Sequence, residues 1–250
     1  MLKKLIQSTF SKFGYRIVRD GSLDHDSVPS SVYGLEPFFS LLKRYRFNPK
    51  HIVDVGANKG TWTRRALPFF PYALYTLVEP QNHLKVHVQD LLDRGCKITW
   101  INAGVADHSG TLPFTISHRD DSSTFVPTTV DATAPRISVR VMTLNEIVAA
   151  ASAPPPEMVK IDTEGFELKV LAGASDLLGK TEVFFVEVTI CSSGYENTIA
   201  RVIQRMDEAG YRVVDLTDVN RSPKYGVLWL CELAFLRNDS TLFDTVISYE

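Results

Sequence analysis

Short apolar runs alternate with segments of helical period along most of the chain. His51–Val55, Leu74–Val78, Ile98–Ile101, Met158–Ile161 and Val183–Val188 are runs of four to six residues, each followed by a glycine or a polar residue. Runs of that length and character predict strands buried on both faces. Leu35–Tyr45, Thr61–Leu67, Leu84–Leu92, Glu167–Ala172 and Asn197–Ala209 carry apolar residues at helical spacing. Pro68, Gly95 and Gly210 stand where three of these helices should stop. Strand and helix in alternation predict a doubly wound α/β domain with a parallel sheet. Tyr211–Leu216 and Val227–Leu236 read as two last strands, joined by a loop of about ten residues and therefore antiparallel neighbours.

The rhythm breaks over residues 103–142, where Gly104, Gly110 and a polar cluster around Asp120–Thr124 flank alternating runs such as Ile137–Val141. This predicts an inserted hairpin or small extra sheet, followed by a helix over Thr143–Ala151 and a stop at Pro154–Pro156. At the other end, Leu2, Leu5, Ile6, Phe10, Phe13 and Ile17 recur near helical spacing, among Lys3, Lys4, Lys12, Arg16 and Arg19. A basic amphipathic segment of this kind suits peripheral contact with an anionic membrane face, and a helix docked on the domain or on a partner subunit gives the same pattern. Residues 20–34 are polar and turn-rich. The expected division is an N-terminal amphipathic segment and linker over 1–34 and a catalytic-sized domain over 35–250.

Composition narrows the classes. With 27 basic and 29 acidic residues the net charge is -2, so nothing marks the chain as a nucleic-acid binder. Three distant cysteines make neither a CxxC pair nor a disulfide framework, which fits a reducing cytoplasm. No run approaches the roughly 18 apolar residues of a membrane span, and the N-terminus lacks the apolar core and cleavage site of a secretory signal.

The candidate chemistry lies at strand tips. In IVDVGANKG, residues 52–60, a strand ends in glycines and a helix follows, which brings backbone N–H groups close to a ligand. The spacing is not GxGxxG, since Asn58 replaces the second glycine, and no GK[ST] follows. A dinucleotide-dependent oxidoreductase is thereby disfavoured. Asp54, two residues before Gly56, suits a cationic ligand better than a pyrophosphate. Glu79 ends the second strand, where a carboxylate can accept two ribose hydroxyls, and Asn102 ends the third. Asp54, Gly56, Asn58, Gly60, Glu79 and Asn102 are the candidate cofactor residues. Taken singly, the glycines could be ordinary turn residues and Asp54 a helix cap.

The segments VDVGANKGTWT, VEP, INAGVADHSGTLPF, DDSSTF, VMTLNE and VKIDTEGFELKVLAGA together resemble the FkbM family from about residue 50 to residue 236. Asn145 departs from the aspartate the family often has there. The resemblance implies a class I methyltransferase fold, with a seven-stranded, mostly parallel, Rossmann-like sheet and an antiparallel last strand. It also implies S-adenosyl-L-methionine as cofactor and O-methylation of a saccharide, glycolipid or related polyhydroxylated acceptor. An S-adenosylmethionine-binding regulatory protein without catalysis is the alternative.

The acceptor should sit beside the fourth strand's tip. Asp162 is the expected general base, with Glu164 or Glu187 orienting the acceptor. The competing reading makes Asp162 and Thr163 caps of the next helix and leaves Glu167 solvated. Asp162 and Glu187 could also hold a divalent metal, but the sequence shows no third ligand, so no metal is assigned. Arg119–Phe125 should form a polar loop over the site, while His108 and His118 read as surface residues. The expected location is cytoplasmic, with a peripheral contact at the inner membrane face if residues 1–19 bind lipid.

Overall fold

A computed structural model describes residues 33–117, 122–126, 134–191 and 195–243 of the 250. The N-terminal amphipathic segment, His118 and Arg119–Asp121 lie outside the described residues. Among those described, no helix is long and apolar enough to cross a membrane.

The chain opens with α1 (Leu35–Arg44), whose Leu35, Phe38, Phe39 and Leu42 are all buried. It continues with β1 (His51–Val55), α2 (Thr61–Ala66) and β2 (Leu74–Val78). A 3₁₀ helix over Asn82–Val88 runs into the short α3 (Gln89–Asp93), where one helix was expected. β3 (Ile98–Ile101) completes the first half. β4 (Gly104–Val105), β5 (Gly110–Thr115) and β6 (Arg136–Met142) form the predicted extra sheet, in the order β4-β6-β5. β5 and β6 are an antiparallel pair, whereas β4 runs parallel to β6. α4 (Leu144–Ala150), β7 (Met158–Ile161), α5 (Glu167–Ala172), β8 (Val183–Thr189) and α6 (Ile199–Glu208) resume the alternation. β9 (Tyr211–Arg221) and β10 (Leu228–Arg237) close it.

The main sheet has seven strands in the order β3-β2-β1-β7-β8-β10-β9. β3, β2, β1, β7 and β8 are mutually parallel, and β10 lies antiparallel between β8 and β9. The last two strands are antiparallel neighbours as expected, but the intervening loop is shorter than ten residues because β9 extends through Thr217–Arg221. That extension is polar and lies on the sheet edge, so no apolar alternation announces it.

Period-two alternation sends each strand's apolar side chains to two separate cores. On one face Val53, Val55, Val159, Ile161, Phe184 and Val186 meet residues of α4, α5 and α6. On the other, Ile52, Met158, Phe185, Ala234 and Leu236 meet α1 and α2. Phe39 is the centre of an aromatic group there, with ring centroids 5.4–5.7 Å from those of Trp62, Phe69, Phe70 and Phe185. The chain winds outward from β1 to β3 and then returns to start again at β7. The β1–β7 junction is therefore the point where the connections diverge, and a crevice opens there at the strands' carboxyl ends.

Candidate active site

A cleft of about 710 Å³ occupies that junction. From one side it is lined by Gly56, Asn58, Glu79 and Gln81, and from the other by Lys160, Asp162, Thr163 and Glu164. Val78, Ala103, Val105, Phe114 and Phe125 supply apolar wall. Ser123 and Phe125, from the described part of the polar segment expected over the site, line it as well.

The glycine turn is built for close approach. Gly56 has φ of 74°, and a Cβ placed on it would stand 1.8 Å from the backbone oxygen of Asp162. Only glycine lets the tips of β1 and β7 come that near. Asn58 also takes a left-handed φ, 47°, which asparagine tolerates better than most residues. Its N–H donates to Glu79 Oε2 at 2.9 Å, while the N–H of Gln81 donates to Oε1 at 2.9 Å. These bonds fix the Glu79 carboxylate at the cleft wall, though it is only 4% exposed. Burial raises its pKa, and the two backbone N–H groups pull the other way.

Three of the six candidate cofactor residues are thus in the wall. The other three are not among the residues that line the cleft. Asp54 is fully buried beneath it, where its Oδ2 accepts the Thr63 hydroxyl at 2.6 Å and Oδ1 lies 3.4 Å from Lys160 Nζ. Gly60, with φ of 73°, starts α2. Asn102 is exposed and donates its amide to the carbonyls of Glu79 and Pro80 at 3.0 and 2.8 Å. Each of these secures a strand tip or the helix after it.

Across the cleft, Asp162 Oδ2 lies 3.2 Å from Lys160 Nζ. Lys160 also donates to the Gly56 carbonyl at 3.1 Å. Burial works against its charge, but Asp162, Asp54 and Glu232 outweigh that and raise its pKa. Glu164 adopts φ of 56°, and its carbonyl accepts the Thr124 hydroxyl at 2.8 Å. Asp162 and Thr163 do not cap α5, whose N-cap is Phe166 with no side-chain bond.

Glu187 is half-buried behind Asp162 and is not among the lining residues. Burial and then the charges of Asp162, Glu164 and Glu167 raise its pKa well above the usual carboxylate range. Glu167 is fully buried, contrary to the solvated alternative. Its Oε1 accepts the N–H groups of Thr163 at 2.7 Å and Gly165 at 3.2 Å, so this side chain organises the loop that carries Asp162. Burial pushes its pKa up to about 7 despite those donors.

Several lining groups were not anticipated: Lys160, Trp62 and Arg65 of α2, Asp218 of β9 and Glu232 of β10. Glu232 accepts the Thr217 hydroxyl at 2.5 Å, and burial pushes its pKa up to about 7. Ile52 and Asp54, Met158 and Lys160, Phe185 and Glu187, and Ala234 and Glu232 each lie two positions apart on one strand. The apolar stripe of one sheet face therefore turns charged at the carboxyl edge. A charge two residues beyond an inward-facing apolar residue was the available signal.

Strand order and a crevice at this junction define the class I fold of S-adenosylmethionine-dependent methyltransferases. The chain belongs to the FkbM methyltransferase family: the model of the methyltransferase FkbM domain matches residues 54–213. It is accordingly a methyltransferase that uses S-adenosyl-L-methionine. No curated protein matches it in sequence. Among solved structures it resembles a precorrin-6y C5,15-methyltransferase from Geobacter metallireducens, at 13% identity and a TM-score of 0.45, covering 86% of this chain and 95% of that one. It also resembles the 1,6-didemethyltoxoflavin-N1-methyltransferase of Burkholderia thailandensis, at 16% identity and 0.44, covering 95% and 89%. A third is a putative RNA methyltransferase from Pyrococcus horikoshii, at 11% and 0.46, covering 82% and 83%.

Proposed function

We propose that the protein transfers the methyl group to a hydroxyl oxygen of a sugar, glycolipid or similar polyhydroxylated acceptor, in the cytoplasm. One observation carries this reading. The Gly56–Asn58–Glu79 wall and the Asp162–Glu164 wall face a single cleft across the β1–β7 junction.

The first wall suits the cofactor in its chemistry. Among the described residues Glu79 Oε2 accepts the Asn58 N–H alone, and a carboxylate oxygen has two lone pairs, so it retains capacity for a ribose hydroxyl. Val78, Ala103 and Val105 offer apolar surface for a purine. Asp54, Gly60 and Asn102 enter as supports of this wall. When bound, S-adenosylmethionine supplies an activated methyl group on a sulfonium centre. The second wall then has two tasks, to position the acceptor and to ease loss of its hydroxyl proton. Asp162 is the carboxylate available for the proton, and Lys160 holds it in place from below. Glu164 and Ser123 offer acceptor atoms for neighbouring hydroxyls and orient the acceptor.

The test is Asp162→Asn, assayed for methyl transfer over a glycan panel and for S-adenosylhomocysteine binding by titration calorimetry. Turnover should fall about 10²–10⁴-fold, the usual contribution of a general base. Cofactor affinity should stay unchanged. Wild-type turnover in the variant removes Asp162 from the reaction, and methylation confined to nitrogen acceptors overturns the hydroxyl assignment.

A further inference from the structure

We infer that Asp162, Glu167 and Glu187 form a binding site for one hard divalent cation of the magnesium or manganese type. The three come from different places in the chain: the tip of β7, the first residue of α5 and the carboxyl end of β8. One carboxylate oxygen of each lies within 4.8 Å of the others. Around an octahedral magnesium neighbouring oxygens stand about 2.9 Å apart and opposite ones about 4.1 Å, so at least two of the three pairs have to close to about 2.9 Å when the ion binds. An all-oxygen set selects hard cations over zinc or copper.

An acidic cluster alone would say little, since repulsion and protonation also explain one. The decisive observation is Glu167. Its side chain is fully buried, and Oε1 is held by the N–H groups of Thr163 and Gly165 and by the Thr163 hydroxyl at 3.2 Å. Oε2 is buried with no hydrogen-bond partner among the described residues. A buried acceptor left in that state is costly and calls for a partner. The loop bonds fix the carboxylate's orientation, so the orphaned oxygen is presented in a set geometry. Among the described residues no hydrogen-bond donor meets the Glu187 carboxylate either. Among the described residues the cation beside them is Lys160, which is engaged with Asp54, the Gly56 carbonyl and Asp162 Oδ2. Asp162 Oδ1 is left for the ion.

This inference rests on the reading of the cleft given above, because Asp162 joins the two. An ion there would bring positive charge beside the acceptor's hydroxyl oxygen and ease loss of its proton. It would also hold Asp162 and Glu187 together, which otherwise repel.

The test is uptake of Mn²⁺ by the full chain after treatment with EDTA and dialysis, followed by the loss of the free-ion paramagnetic resonance signal. S-adenosylhomocysteine binding is measured on the same metal-free samples. One Mn²⁺ should bind per chain and be displaced by Mg²⁺. Glu187→Gln, which breaks no hydrogen bond among the described residues, and Glu167→Gln should each weaken uptake by about tenfold or more, since carboxylate charge sets affinity at such sites. Cofactor-product binding should survive in the Glu187→Gln protein. No uptake at millimolar Mn²⁺ by protein that still binds S-adenosylhomocysteine overturns the site, as does uptake unchanged in both variants. Uptake of one ion with no S-adenosylhomocysteine binding would leave the site standing and strike the cofactor reading instead.

Discussion

Removing the positive charge of Lys160 tests the framework beneath the cleft. Its ammonium is 3.4 Å from Asp54 Oδ1, 3.2 Å from Asp162 Oδ2 and 3.1 Å from the Gly56 carbonyl. Asp162 is partly exposed and can turn to water, but Asp54 cannot. Among the described residues Asp54 Oδ1 has no hydrogen-bond partner, and the Lys160 ammonium offsets its charge on that side. Lys160→Met keeps most of the volume and strands that carboxylate. Breaking a buried pair in this way costs about 3–5 kcal/mol. For a domain of this size that corresponds to roughly 6–20 °C in Tm. Asp54→Asn alone should cost less, because an amide can still accept the Thr63 hydroxyl and Lys160 retains Asp162. The double variant should recover about 1–3 kcal/mol relative to the sum of the singles, the coupling expected of groups in contact. Urea unfolding of the four proteins measures this cycle. Additivity within about 0.5 kcal/mol, or a Lys160→Met cost below about 1 kcal/mol, would refute the reasoning.

Gly56→Ala should destabilise the protein by at least about 2–4 kcal/mol and weaken S-adenosylhomocysteine binding, because the new Cβ would meet the Asp162 carbonyl at 1.8 Å in a left-handed conformation. A Tm within about 2 °C of wild type would show that β1 and β7 can part without cost. A second change concerns His51 at the opposite end of β1, fully buried, with Nδ1 donating to the Pro154 carbonyl at 2.7 Å and Nε2 accepting from Thr76 at 2.9 Å. Burial lowers its pKa, against the opposing pull of the Pro154 carbonyl and Glu157. The unfolded chain therefore takes up a proton at His51 near pH 6.5 while the folded protein resists, and stability falls as pH drops below about 6.5. Melting curves from pH 7.5 to 5 should show His51→Gln with a shallower decline than wild type, and parallel declines would exclude this histidine as a source.

Strand positions were legible because each central strand is a short apolar run with a polar or glycine terminator, and two cores demand apolar side chains on both faces. Val55 and Val78 mark the ends of β1 and β2 in sequence and in space. Side-chain direction was less legible. Asp54 is one residue from the end of its strand and was read as reaching the ligand, yet alternation puts it on the face of Ile52, under the cleft floor. Proximity to a tip does not say which way a side chain points. Glu167 was obscured differently. In a helix of six residues no periodicity separates an inward acid from an outward one, and its burial follows from the loop it ties together. Lys160 and Glu232 stand inside apolar strands and could have been singled out on that ground, since charges at inward positions seldom persist without partners.

The placement of Lys160 bears on how the two halves of the cleft stay in register. Methyl transfer requires donor and acceptor atoms to be held at near-contact distance in line, and a misplacement of about 1 Å can cost about 10²-fold. In this fold the two walls come from separate stretches of chain, about 100 residues apart between Gly56 and Asp162. Two links tie them. The backbone N–H of Asp162 donates to the Val55 carbonyl at 3.1 Å, which fixes their relative height. Lys160 Nζ reaches Asp54, Gly56 and Asp162 from a single buried point, which fixes their lateral position. Asp54 passes the constraint on to α2 through Thr63, so the helix after the glycine turn is secured to the same point. A buried charge network is a costly way to gain stability, and a row of apolar side chains would serve the sheet at least as well. Its presence at the carboxyl edge, with apolar residues two positions deeper in the sheet on each strand, is explained by what that edge must do: hold two walls of one cleft at a fixed separation.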